Sequence, residues 1–290
     1  MGINLGSTAI SDLKKGSTQV DKIYLGSDVV WQKSAPVATK ALKFTSPNAQ
    51  TLSIDSSVIS DLTPTFEYST NGTSWTSWNI SNSLNFGNGV DLYIRGMNSY
   101  LCLASSNRVH FVFGTSSPVY CSGNIMWLFD YTQDLTAFPT TSGITSYGVM
   151  KMFQNCIVLV TPPDLPATSL DLYSYWAMFE GCIALTTPPA LPALSIPVGA
   201  YYSMFAGCTS LIALPALPAT SLQSNGYAYM FDGCSQIKMG RNQSDTYPYS
   251  FTMPLTNTEI QSYTPFMFRG TTGETTNPSP QMYTSNTIIS

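Results

Sequence analysis

Four of the six cysteines, Cys156, Cys182, Cys208 and Cys234, stand 26 residues apart, and their surroundings repeat with them. Met152-Phe153, Met178-Phe179, Met204-Phe205 and Met230-Phe231 precede the cysteines by one constant interval, and Leu159, Leu185, Leu211 and Ile237 follow them by another. LPATSL at 165–170, LPALSI at 191–196 and LPATSL at 217–222 close three of the copies. A unit this short cannot bury its apolar side alone, so the copies must stack and share one core. Equivalent residues then fall into files. The cysteines form a ladder of buried thiols, whose parallel Cβ directions suit neither disulfides nor convergence on one metal ion. Leu128-Phe129 leading to Leu135, and Met267-Phe268-Arg269-Gly270 beyond a break in the period, read as terminal caps.

Within a unit, apolar residues recur at i, i+3 and i+4 in LYSYWAMFEG, which predicts a short helix or helical turn with Tyr175, Met178 and Phe179 on one face. The Cys-x-x-Leu stretch that follows predicts a brief strand, ended by Pro162-Pro163 and Pro188-Pro189. Upstream, from about Ala41 to Phe113, the runs ALKFT, TLSI, TFEYS, SWTSWNI, VDLYI and HFVF alternate with turn residues and predict a β-sandwich. Asn71-Gly72 suits a tight primed hairpin turn. Gly87-Asn88-Gly89 is a second turn rather than a phosphate loop, because Leu92 stands where a third glycine belongs. Before the sandwich, Leu5-Gly6-Ser7, Lys15-Gly16-Ser17 and Leu25-Gly26-Ser27 repeat every ten residues. Three short β-segments joined there cannot enclose a core. They are expected to dock on another protein, with Leu5, Ile10, Leu13, Val20, Ile23, Leu25, Val30 and Trp31 as the contact residues. The expected fold class is mainly β with an α/β solenoid. Residues 1–33 form a β anchor, 34–40 a linker, 41–116 an Ig-like β-sandwich, 117–240 the repeat solenoid, and 241–290 a degenerate repeat and cap.

Charged residues are 10% of the chain, and 12 basic against 16 acidic residues give a net charge of -4, which argues against nucleic acid as a partner. No apolar run is long enough for a membrane helix. His110 is the lone histidine, within a strand-like run and without a Gly-x-Ser-x-Gly elbow. Asp164, Asp171 and Glu180 could neighbour one another but read as solvated acids. No calcium-loop pattern occurs. The expectation is therefore a protein without catalytic residues, cofactor or metal, and binding is the remaining class. Aromatics constant from copy to copy, Tyr175, Tyr201 and Tyr227, are explained by stacking. Tyr173, Trp176, Tyr202 and Tyr229 do not keep a common register and are the candidate ligand-binding residues. Four acidic and no basic residues lie between Met152 and Ile237, which favours a neutral glycan or a surface protein over an anionic capsule.

The MF-x-G-C-x-x-L…LPATSL pattern, with a period inside the 20–29 residues of leucine-rich repeats, resembles the BspA-type repeats of Bacteroides surface proteins and of proteins of phages infecting those bacteria. The resemblance covers about residues 120–270. The preceding ALKFT…EYSTNGTSWTSW…LYIRG…SGNIMWLFD stretch is similar to the β-sandwich found before such repeats, and INLGSTAI…KIYLGSDVVW resembles N-terminal segments of phage virion proteins. The resemblance implies a non-enzymatic virion structural protein, a head or tail fibre or decoration, assembled in the host cytoplasm. Residues 1–33 would attach it to other virion proteins, and the repeats would face outward to bind a bacterial surface glycan or protein. A homo-oligomer is expected, because symmetry multiplies weak contacts. The alternatives are a Bacteroides-type cell-surface adhesin, which an opening without an export signal disfavours, and a purely structural decoration protein.

Overall fold

The computed structural model describes residues 39–59, 61–140, 147–237, 264 and 266–271, together with the backbone of short strands towards both ends of the chain. The fold is mainly β with almost no helix. Met1–Thr39 is one compact unit and Lys40–Ser290 another. In the first, β1 (Asn4–Leu5) pairs with β2 (Thr8–Ala9), β3 (Leu13–Lys15) with β4 (Thr18–Val20), and β5 (Lys22–Leu25) with β6 (Asp28–Gln32), all antiparallel. Each Gly-Ser pair thus lies between the two strands of a hairpin, so the ten-residue repeat spaces hairpins rather than single strands. Leu13 faces Val20 across the register and Ile23 faces Trp31. Leu5, Leu25 and Val30 lie on β1, β5 and β6, and Ile10 falls outside the described residues.

The second unit begins with β7 (Leu42–Thr45), β8 (Gln50–Ile54), β9 (Phe66–Ser69), β10 (Thr76–Trp78), β11 (Leu84–Phe86) and β12 (Leu92–Gly96). A small pair, β13 (Cys102–Ala104) and β14 (Asn107–Arg108), precedes β15 (Phe111–Phe113) and β16 (Val119–Ser122). β17 (Leu159–Thr161) lies in the first repeat copy. Two sheets result, ordered β10-β9-β12-β7-β16-β17 and β11-β8-β15. They meet through rings that alternation turns inward: Phe111 lies 6.1 Å from Phe44, 6.4 Å from Phe66 and 6.5 Å from Trp78. The larger sheet passes beyond residue 116, because β16 pairs antiparallel with β7 and parallel with β17. Asn71-Gly72 does lie between paired strands, β9 and β10, but not as a primed turn. Only Gly72 has positive φ, and the Asn71 side chain accepts from Thr73 and Ser74 amides to hold a longer loop. The primed geometry is at Asn88 and Gly89, with φ of 53° and 85°.

The helix expected before each Met-Phe pair does not form. Backbone donors there alternate in direction. Trp176, Met178 and Glu180 donate to carbonyls three residues back, whereas Tyr175, Ala177 and Phe179 donate to Ala200, Tyr202 and Met204 of the next copy at 2.8–2.9 Å. Every second amide is thereby diverted from the i→i−4 ladder a helix requires. The α/β description is corrected accordingly: the copies are chains of tight turns stitched sideways. Among the described residues the Cys-x-x-Leu strand forms only in the first copy, as β17. In later copies the paired residues are β18 (Ser195–Ile196) and β19 (Ser221–Leu222), within LPALSI and LPATSL.

Side chains follow the backbone into files. Phe153, Phe179, Phe205, Phe231 and Phe268 stack at 5.5–5.8 Å with ring planes within 13°. Tyr175, Tyr201 and Tyr227 do the same at 5.7 and 5.8 Å. All six cysteines are unpaired thiols, and Cys182, Cys208 and Cys234 each donate to the phenylalanine carbonyl of the preceding copy at 3.0 Å. Phe111 of β15 imitates that phenylalanine at the near end of the file: its amide donates to Met152, and its carbonyl accepts from the Cys156 thiol at 3.1 Å. Leu128-Phe129 therefore does not cap this file. Phe129 packs on Phe138, which heads the tyrosine file at Tyr175. At the far end Met267–Gly270 joins the stack despite its 37-residue offset, with Gly233 donating to Arg269 at 2.7 Å. One contiguous apolar cluster runs from Leu42 to Phe268. A last small antiparallel sheet comprises β20 (Ser250–Thr252), β21 (Tyr283–Thr284) and β22 (Thr287–Ile289). No described helix is long and apolar enough to cross a membrane.

Candidate functional site

The turn chain that replaces the helix also sets where aromatic side chains emerge. Its repeating geometry places a left-handed residue every fourth position, as at Tyr173, Ala177 and Gly181 with φ of 57°, 51° and 72°. Tyr229 occupies the same kind of position at 56°, in register with Ala177. Tyr173 and Tyr229 therefore project from a different point on their turns than Trp176 and Tyr202, which are 26 residues apart and in register with each other.

All four half-buried candidate residues nevertheless join one ribbon. Tyr173 lies 5.4 Å from Trp176, Trp176 5.8 Å from Tyr202, and Tyr202 5.5 Å from Tyr229. The ribbon extends beyond what the sequence suggested: Tyr147 adds to it at 5.7 Å from Tyr173, and Phe266 at 5.1 Å from Tyr229. Tyr147 was discoverable, since it precedes Tyr173 by one period. Phe266 was discoverable too, since it precedes Met267-Phe268 as Tyr229 precedes Met230-Phe231.

Two cations flank the ribbon, one against its middle and one at its Phe266 end. Lys151 Nζ sits 4.9 Å from the Trp176 ring, and the Arg269 guanidinium 5.3 Å from Tyr229 and 5.4 Å from Phe266. Arg269 also binds Asp232, its Nε donating to Oδ1 at 2.9 Å. Gln154 donates to Glu180 at 2.6 Å. The acidic character expected of residues 152–237 is thus offset at the ribbon by Lys151 and Arg269, which lie outside that window. Burial, followed by the neighbouring Tyr229 and Glu180, raises the Tyr202 phenol above its ordinary range. The ribbon offers ring faces and edges in a line with nearly balanced charge, suited to stacking on neutral rings.

The other polar candidates are held in separate roles. His110 sits with Nε2 2.8 Å from the Gln154 carbonyl and Nδ1 3.5 Å from Asp55 Oδ2. Its nitrogens face a backbone carbonyl and a carboxylate rather than a hydroxyl nucleophile. Asp55 is itself lowered in pKa, chiefly by the Ser57 hydroxyl. Asp171 is raised by burial alone, and Glu180 is engaged by Gln154. Among the described residues no three His, Cys, Asp or Glu side chains gather as a metal site. No family model, curated protein or solved structure matches the chain.

Proposed function

We propose that this chain is a non-enzymatic bacteriophage virion protein. In this reading residues 1–33 attach it to other virion proteins, an Ig-like sandwich follows, and a BspA-type leucine-rich-repeat solenoid is displayed for host-surface binding. The observation that carries the binding role is the unbroken ribbon from Tyr147 to Phe266. A stack needs its inner Phe and Tyr files for stability, but it does not need a second, half-exposed aromatic line on its outside. Such a line, flanked by cations and nearly neutral, fits a neutral glycan whose sugar rings lie along it. The solenoid reading is supported by the recurrence of its hydrogen bonds and ring files every 26 residues. The anchor reading is supported by three hairpins in a unit too small to enclose a core.

A glycan array probed with the whole chain tests the binding role. Trp176→Ala with Tyr202→Ala is expected to weaken retention of neutral glycans about tenfold or more, as loss of aromatic anchors does, while unfolding stays cooperative. Retention of no glycan, with capture of a host surface protein instead, would replace the ligand class. Deletion of residues 1–33 is expected to abolish incorporation into particles, and unchanged incorporation would remove the anchor.

A further inference from the structure

A second aromatic arrangement lies on the outer face of the larger sheet. Arg95 of β12 stands directly opposite Glu67 of β9, which stands opposite Ser77 of β10, so the three form a row across the strands. The Arg95 guanidinium carbon is 3.8 Å from the Trp75 ring centroid and 3.9 Å from that of Tyr131. Two rings that close to one atom must cover its opposite faces. Nε donates to Glu67 Oε2 at 2.7 Å. With both faces and Nε taken, the Nη edge is what remains, and it meets no acceptor among the described residues. The side chain keeps 20% of its exposure.

A cross-strand ion pair requires none of this clamping. The rings fix a planar fork in advance, so an incoming oxyanion would order nothing further. Beside it opens a cleft of about 330 Å³, walled in part by Thr65, Glu67, Ser77, Met97 and Tyr131. That is the low end of the roughly 300–1,000 Å³ of small-ligand sites. Glu67 and Tyr131 belong to both the clamp and the cleft, so the cleft adjoins the fork, although Arg95 itself does not wall it.

We propose that this is a binding site for a sugar ring bearing a carboxylate. The carboxylate accepts from the Nη pair of Arg95, and the ring lies in the cleft against Tyr131 and Met97, with the Ser77 hydroxyl in reach of its own hydroxyls. The site is independent of the repeat ribbon and of its proposed neutral ligand.

Saturation-transfer NMR on the whole chain tests it with glucuronate, its methyl ester, glucose and acetate as probes. Glucuronate is expected to give a saturable signal, and the other three at least tenfold weaker ones. Arg95→Gln should lower the glucuronate signal at least tenfold, Arg95→Lys should restore it in part, and Trp176→Ala should leave it unchanged. Silence with glucuronate would overturn the proposal. So would equal binding of the methyl ester, which needs no fork, or of acetate, which needs no cleft. The ligand comparisons use the unaltered protein and stand even if an Arg95 variant fails to fold.

Discussion

Tyr173 and Tyr229 hold a backbone conformation that bulky residues avoid, at a cost on the order of 1 kcal/mol each. The neighbouring copy accommodates the first. Gly199 has φ of 62°, and a Cβ there would meet the Tyr173 ring at 2.4 Å. Gly199→Ala should therefore act twice, straining the backbone and pushing Tyr173 out of line. Gly207, at φ of 72°, has nothing closer than 3.7 Å to such a Cβ, so Gly207→Ala isolates the backbone effect. Both variants are expected to lose about 1–2 kcal/mol in urea unfolding, but only Gly199→Ala should also reduce glycan retention. Equal retention by the two would show that the Tyr173 ring position does not matter. The same residues explain what sequence reasoning could reach. Tyr173, Trp176, Tyr202 and Tyr229 stood out because they were aromatic without sharing one register. That mixed register concealed their adjacency, which arises because Tyr173 and Tyr229 take left-handed turn positions that no residue-type pattern announces at a tyrosine.

At the scale of the element, the sideways-stitched turn chain explains why the helical reading failed while its face assignment survived. The i, i+3, i+4 spacing did place Tyr175, Met178 and Phe179 together in the core. Periodicity reports which side chains are buried, not where the amides go. The strands from ALKFT to HFVF were legible because their alternation is local. β16 was missed because its neighbours β7 and β17 are far away in sequence. The thiol ladder has its own pH signature. Burial pushes the Cys234 thiol from the ordinary 9.0 up to about 12 and raises Cys156, Cys182 and Cys208 as well, and outside the ladder it does the same to Cys102. Thiolate therefore forms sooner in the unfolded chain. Stability from these groups is whole below pH 9 and falls as pH rises towards 12, by about 1.4 kcal/mol per pH unit for each thiol. Urea midpoints measured between pH 8 and 11 should decline, less steeply in Cys234→Val. A flat profile would contradict the burial of the ladder.

Over the whole molecule, the decisive contact is Phe111. It belongs to the two-sheet region yet supplies the amide and carbonyl that the first repeat copy takes from a neighbour. Its ring is fully buried, 5.4 Å from Phe153. Phe111→Ala is expected to cost about 3–5 kcal/mol. Fluorescence and circular dichroism should still report one shared transition for residues 40–290, since a single cluster spans both regions. Two separated transitions would show that the regions fold independently.

The far end invites a different consequence. Among the described residues a short run, Phe266 to Gly270, meets the last copy although it lies 37 residues on instead of 26. Gene duplication or loss of whole 26-residue modules would then leave both lids fitting as before. Such a tower can change its height, and hence how far its ribbon reaches, within one generation of recombination and without inventing a new contact.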